Sequence, residues 1–486
     1  MRILQITSGD FLSSYGGGQV YVRNIVDEMI KCDIEVIILS MGSNPICINE
    51  CDYKGVLLYE VGSFASVEDI DNLISSLCVN IVHAHGCLFA SLGTSLPIPV
   101  VITAHHGGIL CPAGTLMNAE DEICQSSLSH RNCLKCCLAN IRTGRAWYPF
   151  MRLLPEGMYR YLGRKLAQLP FVPFISPIGG VAKSIEDKIA EWQSICNNAS
   201  MVIAPSHAIA EAMCRNGLDV SKVRVIPHGI PGKTMNVERL AISGEKTYQR
   251  DDTEFKRIED EFRDGTESQL RTTGWRGEEG TVSGERLAIS ENSKQEQRDS
   301  LNTKQEQSEQ PIRFFFLGRI CRVKGLHVLL EAFDDKCFAD RAELHIIGGA
   351  GNKGEQRYMQ SLQRKYQRDN IIWHGKVSPE KVLETISDFD VMVHPAIYME
   401  IFGLNIAESL LMHKPVLATR CGGAEMQIRD GENGWLVEPN SAVALRERML
   451  QIVEDGIPFS IDTIDSGVIS IEEHVKELLT EYEKSF

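Results

Sequence analysis

Glu400 and Glu408 stand with seven residues between them in the stretch EIFGLNIAESLL. On one continuous helix their side chains would diverge by most of a right angle, which suits no joint action on one group. Phe402 and Gly403 break that continuity, and the apolar spacing of Leu404, Ala407, Leu410 and Leu411 predicts a helix that starts near Leu404. Glu400 is then expected in the loop before the helix and Glu408 on the helix itself. The N–H groups of Gly403, Leu404 and Asn405 at such a helix start suit an anion.

Cations and bare backbone occur where they can serve the same ligand. In GRICRVKG, Arg319 and Lys324 follow an apolar strand-like run, and two cations at a strand end suit a diphosphate. Gly17 and Gly18, in the run Gly16-Gly17-Gly18, open the first helical stretch and leave backbone N–H groups that an anion can approach closely; the spacing is not that of a dinucleotide fingerprint. His105 closes the strand-like run VVITAHH. Together these residues point to a phosphorylated ligand.

The elements that must position them alternate. RILQIT reads as a strand, SSYGGGQ as a turn, about Val20 to Lys31 as a helix and IEVIILS as a strand. NIVHAHG, PVVITAHH and VIAPS read as further strands, HAIAEAMCRNG as a helix closed by Gly217, and KVRVIP as another strand. A second alternating series starts at IRFFFLGRI and runs to NGWLVEP. Each series predicts a doubly wound α/β domain with a parallel sheet, and such sheets bind ligands beyond the carboxyl ends of their strands. The expected organisation is a Rossmann-like domain over residues 1–230, with a Cys-rich loop at 111–137, and a second over 312–465. Residues 466–486 are expected to form a helix that packs back toward the first domain, because Ser470 and Glu473 form a capping box ahead of Ile471, Val475, Leu478 and Tyr482. Residues 231–311 differ in character. From Glu238 to Gln310 there are eighteen acids and twelve bases, and ERLAIS and KQEQ each occur twice. Such a segment buries too little apolar surface to offset its ordering entropy and is expected to be a disordered insert.

GRICRVKG, HPAIYMEIFGLNIAESLLMHKPVLATRCGG and GENGWLVEP together resemble the nucleotide-sugar-binding domain of retaining glycosyltransferases of the GT-B fold, family four; GGGQVYVRNI, VITAHH, VIAPS and VIPHGI match the first half of such proteins. The resemblance implies two Rossmann-like domains facing a cleft. It implies transfer of a sugar, with retention of anomeric configuration, from a nucleotide-diphosphate-sugar to a hydroxyl of a glycan, a lipid-linked glycan or a small molecule, as in polysaccharide biosynthesis, and leaves UDP and GDP both open. By the same resemblance Glu400 meets the donor sugar and Glu408 the ribose, while Arg319, Lys324, Phe402, Gly403 and Leu404, with Gly17 and Gly18 opposite, hold the rest of the donor. His105 would contact the sugar. Many relatives carry an acid beside that histidine, whereas this chain has His106. No metal is required for such catalysis. The alternative is a catalytically silent subunit that binds nucleotide or a partner transferase; the presence of Glu400, Glu408, Arg319 and Lys324 argues against it.

The chain has 486 residues, 43% hydrophobic and 24% charged, with a net charge of −15. That size predicts more than one domain, and that charge disfavours a general nucleic-acid partner. With no long apolar run, the expected location is cytoplasmic, with peripheral contact at an anionic membrane face. Local charge offers such a contact, since Arg142, Arg145, Arg152, Arg160, Arg164 and Lys165 stand against the single acid Glu156 between Ile141 and Val172, interleaved with aromatic residues; the favoured reading of the same run is a solvated helix pair whose apolar face is ordinary core. Cys111, Cys124, Cys133 and Cys136 are read either as a tetrathiolate structural zinc site, with Cys137 as an alternative ligand and an iron–sulfur cluster as the less favoured occupant, or as free thiols.

Overall fold

Apolar runs such as Ile3, Leu4 and Ile6, which are fully buried, make strands with both faces covered, the pattern of a parallel sheet between helices. In the first sheet the strands are β1 (Arg2–Ser8), β2 (Glu35–Met41), β3 (Ile48–Tyr53), β4 (Val56–Val61), β5 (Ile81–His85), β6 (Val100–Thr103), β7 (Met201–Ala204) and β8 (Val223–Val225), in the order β3-β4-β2-β1-β5-β6-β7-β8. All neighbours run parallel except β3 and β4, which are antiparallel. The second sheet comprises β9 (Ile312–Leu317), β10 (Ala342–Ile347), β11 (Ile371–Gly375), β12 (Val391–His394), β13 (Val416–Thr419) and β14 (Gly434–Val437), in the order β11-β10-β9-β12-β13-β14. Strand order reverses at β1/β5 in one sheet and at β9/β12 in the other, which opens a crevice beyond the carboxyl ends at each point.

This computed structural model describes residues 1–9, 11–12, 17–41, 48–62, 67–86, 98–141, 144–168, 176–231, 310–378, 381–458 and 468–484. The insert expected at 231–311 lies, but for its ends, outside the described residues. Residues 1–236 and 313–486 form one compact unit that contains both sheets.

The chain returns to the first domain at its end. Ile230 bridges Ser470 in parallel, and the helix Ile471–Glu483 starts on a formed capping box of Ser470 and Glu473. Its Ile471, Val475, Leu478 and Tyr482 join Tyr21, Val22, Ile25 and Met29 in one buried cluster of the first domain. Two local expectations shift. The first helix begins at Gly17 rather than Val20, and β3 with β4 adds an antiparallel edge that the sequence did not announce. The polar run INECDY at that edge is largely half-exposed or exposed, so it lacks the apolar period of a core strand.

Candidate active site

The helix Leu404–Leu411 begins where the sequence places its start. Gly403 has a φ of 91°, a left-handed conformation that turns the loop into the helix and that a side chain would resist. No side chain caps that start, and Glu400, Gly403 and Leu404 border one space. Gly17 and Gly18 stand opposite. A Cβ on Gly17 would lie 3.4 Å from Leu404 Cδ1 and one on Gly18 3.4 Å from His105 Cγ. Any larger residue would therefore begin to fill the gap between the domains.

That gap is a cavity of about 450 Å³. Gly17, Gly18 and His105 line it from the first domain, and Arg319, Lys324, Glu400, Phe402, Gly403 and Leu404 line it from the second. Glu408 is not among the lining residues. It is half-buried on the helix, and burial pushes its carboxyl up to about 7.

Glu400 sits in a dense polar knot. Lys324 Nζ donates to its Oε2 at 2.5 Å, Tyr398 Oη donates to its Oε1 at 2.8 Å, and His394 Nε2 stands 3.3 Å from Oε2. Burial alone would push the Glu400 carboxyl up, yet the Lys324 ammonium and His394 outweigh it and hold the carboxyl far below its usual range. Lys324 moves the opposite way: the carboxylate of Glu400 and the oxygen of Tyr398 overcome burial and raise it. Its ammonium also lies 5.1 Å from the centre of the Tyr398 ring. The sequence reading gave Lys324 and Glu400 separate duties; the fold joins them as one ion pair. Arg319 is also engaged, its Nε donating to Glu355 Oε2 at 2.9 Å while Nη2 meets Oε1. Arg322 Nη2 donates to Asp121 Oδ2 at 2.6 Å, which ties the second domain to the Cys-rich loop of the first.

Behind His105 lies a layer of buried polar residues. Period-two geometry sets it, since Gln5 pairs in register with His83, and His85 with Thr103. His105 follows Thr103 by two residues and continues that face. Its Nε2 is 2.9 Å from His85 Nδ1, and His85 Nε2 is 2.7 Å from Gln5 Oε1. Burial and neighbouring histidines press His105 down to about 3, so the ring is neutral at ordinary pH. His228 completes the wall, its ring 4.1 Å from Tyr21 and 5.2 Å from Phe402, with Nδ1 buried and unpartnered.

Tyr398, His85 and His228 are cavity-lining residues that the sequence reading did not single out. Only the repeated histidines of IVHAH, polar residues alternating inside an apolar strand, carried a signal. Tyr398 and His228 needed the fold.

Among the five cysteines, Cys133 and Cys137 pack with Leu134, Leu138 and Ile185. Burial comes first and neighbouring thiols second in raising Cys133 to about 11 and Cys137 to about 12. Cys111, Cys124 and Cys136 are near enough to influence Cys133. Their sulfur donors have the chemistry of a zinc site, but among the described residues no group of three or more His, Cys, Asp or Glu is arranged to hold a metal.

In the basic stretch, Arg160 and Arg164 both bind Glu186 on the next helix. The exposed side chains beside them are apolar: Trp147, Phe150, Leu153, Met158 and Tyr161 are between 40% and 77% exposed. Among the described residues, no helix is long and apolar enough to cross a membrane.

Residues 297–463 match the family described as Glycosyl transferases group 1. Sucrose synthase of Acidithiobacillus caldus is 32% identical over 154 residues, covering 28% of this chain and 19% of that protein. D-inositol 3-phosphate glycosyltransferase of Geodermatophilus obscurus is 32% identical over 139 residues, covering 27% of this chain and 31% of that protein. The chain therefore spans less than half the length of these curated relatives. Among solved structures, sucrose-phosphate synthase of Thermosynechococcus elongatus superposes with a TM-score of 0.59 at 16% identity, covering 99% of this chain and 98% of that one. Anabaena HepE in complex with UDP and glucose superposes with a TM-score of 0.53 at 15% identity over 99% of both. The chain has the two-domain GT-B fold, and its second domain carries the pattern of Glycosyl transferases group 1.

Proposed function

We propose that this protein is a glycosyltransferase that moves a sugar from a nucleotide-diphosphate-sugar to an acceptor hydroxyl with retention of anomeric configuration. The observation that carries this reading is the cavity itself, where an uncapped helix start, a lysine–glutamate pair and His105 converge from two domains. In this reading the diphosphate lies against the Gly403 and Leu404 amides and the backbone of Gly17 and Gly18. It draws on Lys324 and Arg319 for charge, so both cations exchange part of their present ion pairs for phosphate oxygens. Glu408, ionised, accepts hydrogen bonds from the two ribose hydroxyls. Glu400 faces the sugar, and its fixed negative charge stabilises the positive charge that develops at the anomeric carbon as the diphosphate leaves. His105 receives a sugar hydroxyl. UDP in the Anabaena complex favours uridine as the base.

Two finer readings accompany it. The acceptor is lipid-linked, because the exposed apolar residues Trp147 to Tyr161 with Arg145, Arg152 and Lys165 suit the interface of an anionic bilayer. Arg160 and Arg164, paired with Glu186, serve the fold of that surface instead. In the Cys-rich loop we propose a structural zinc on Cys111, Cys124, Cys133 and Cys136, whose thiols would have to draw together from their present positions to ligate it and would then fix the acceptor side of the cleft. Incubating the purified protein with UDP-sugars and following UDP release tests the main reading: release from at least one donor is expected, and none from a broad panel of UDP- and GDP-sugars would refute it.

A further inference from the structure

The polar layer under His105 holds two runs of hydrogen bonds, and the direction of the run that ends on His105 decides which ring nitrogen it shows to the cleft. One run joins Thr103 Oγ1 to His83 Nε2 at 2.7 Å and His83 Nδ1 to Tyr482 Oη at 2.5 Å, and the other joins Gln5 Oε1 to His85 Nε2 at 2.7 Å and His85 Nδ1 to His105 Nε2 at 2.9 Å. Gln5 is fully buried, and so are His83 and Tyr482. Each neutral imidazole in the layer has one N–H and one lone pair. Two directions are therefore conceivable, and they leave His105 with opposite atoms free.

Gln5 selects between them. Its Nε2 donates to Met29 Sδ at 3.7 Å, while Oε1 faces His85 Nε2 at 2.7 Å. A thioether accepts but never donates, so this orientation gives both ends of the amide a fitting partner. Turning the amide over would set its oxygen against the sulfur, two acceptors with no hydrogen between them in the core, a costly arrangement. With Oε1 toward His85, the Nε2 of His85 must carry the hydrogen. Its Nδ1 is then a lone pair, and the 2.9 Å contact requires His105 to donate from Nε2. Beside this run, Tyr482 Oη meets His83 Nδ1, His83 Nε2 meets Thr103 Oγ1, and Tyr21 Oη meets His474 Nε2 at 2.6 Å.

We propose that Gln5 is a positioning residue which, through His85, locks His105 as the Nε2–H tautomer, so that the ring offers a lone pair at Nδ1 to a hydroxyl hydrogen in the cleft. Among the described residues no partner for His105 Nδ1 is recorded, and the ring lines the cavity. The functional consequence rests on the proposed transferase reading, because the hydroxyl would belong to the donor sugar. The tautomer itself does not.

The test is side-chain nitrogen NMR of the full-length protein labelled with ¹⁵N-histidine, with His105 identified through loss of its signals in His105→Ala. In the unsubstituted protein Nε2 of His105 is expected to carry the hydrogen and Nδ1 to be bare; a hydrogen on Nδ1 overturns the proposal without recourse to any variant. Gln5→Glu keeps an acceptor for His85 and is expected to keep the tautomer. Gln5→Met removes it at similar volume, and the His105 signals are expected to move to a mixture of tautomers. An unchanged His105 tautomer in Gln5→Met also overturns the proposal. If sugar transfer is detected, turnover should fall about tenfold in Gln5→Met, the worth of one hydrogen bond, with nucleotide affinity within about twofold of the unsubstituted protein. Failure to find transfer activity would count against the transferase reading and leave the tautomer result standing.

Discussion

Lys324 Nζ lies 2.5 Å from Glu400 Oε2, a buried ion pair at the mouth of the second sheet with side-chain exposures of 21% and 9%. Removing one partner leaves an uncompensated charge, so Lys324→Met is expected to destabilise the protein by about 3–5 kcal/mol. Lys324→Met combined with Glu400→Gln should cost less than the two single changes added together. Denaturant titration of the three variants measures this, and additive losses would show that the pair is not coupled. The pH dependence follows from signs. Glu400 is held below its unfolded value, so its contribution is present above the ordinary carboxylate range and is lost as pH falls through and below it. Lys324→Met should lack that acid-side loss.

Glu408 behaves in the opposite sense. Burial raises it to about 7, and a carboxylate that accepts two ribose hydroxyls must be ionised, so binding releases a proton. Affinity for UDP is expected to rise about tenfold per pH unit as pH climbs toward 7 and to level off above it. Glu408→Gln should bind weakly with no such slope. Calorimetry between pH 5.5 and 8.5 decides the matter, and a flat profile in the unsubstituted protein would contradict the ribose role.

The helix start at Leu404, both sheets and the capping box at Ser470 were legible because each rests on local pattern: apolar period, a glycine break, or a serine three residues before a glutamate. The knot around Glu400 was not. Tyr398 and His394 reach that carboxylate through a loop and a strand end, and nothing in their spacing announces that they share it. The Gln5–His85–His105 chain depends on the register between three strands, a quantity that one sequence does not contain. Arg160 and Arg164 were legible as charge but not as partners of Glu186, which lies on the next helix, so their count overstated the free positive surface.

That correction reshapes the membrane experiment. Phe150→Ser with Leu153→Ser, at 68% and 77% exposure, should lower binding to vesicles of mixed zwitterionic and anionic lipid by about tenfold or more. Arg145, Arg152 and Lys165 replaced by Gln should weaken binding in a salt-dependent way. Arg160→Gln and Arg164→Gln should lower thermal stability instead. Sedimentation with vesicles that shows no dependence on anionic lipid would remove the bilayer from the proposal.

For the Cys-rich loop, elemental analysis of protein purified without a chelating tag should find about one equivalent of zinc, and the thiols of Cys111, Cys124, Cys133 and Cys136 should resist alkylation until a chelator is added. Less than about a tenth of an equivalent of zinc or iron, with rapid native-state alkylation, would show that packing alone shapes the loop.

The division of labour between the two acids of EIFGLNIAESLL is the centre of the functional proposal, and paired titrations test it most directly. UDP and GDP are titrated into the unsubstituted protein, Glu408→Ala and Glu400→Gln, and donor turnover is followed in each. The expected result is binding of at least one nucleotide, about tenfold or greater weakening in Glu408→Ala, and near-native nucleotide affinity with strongly depressed turnover in Glu400→Gln. Nucleotide affinity unchanged in Glu408→Ala, or full turnover in Glu400→Gln, would contradict it.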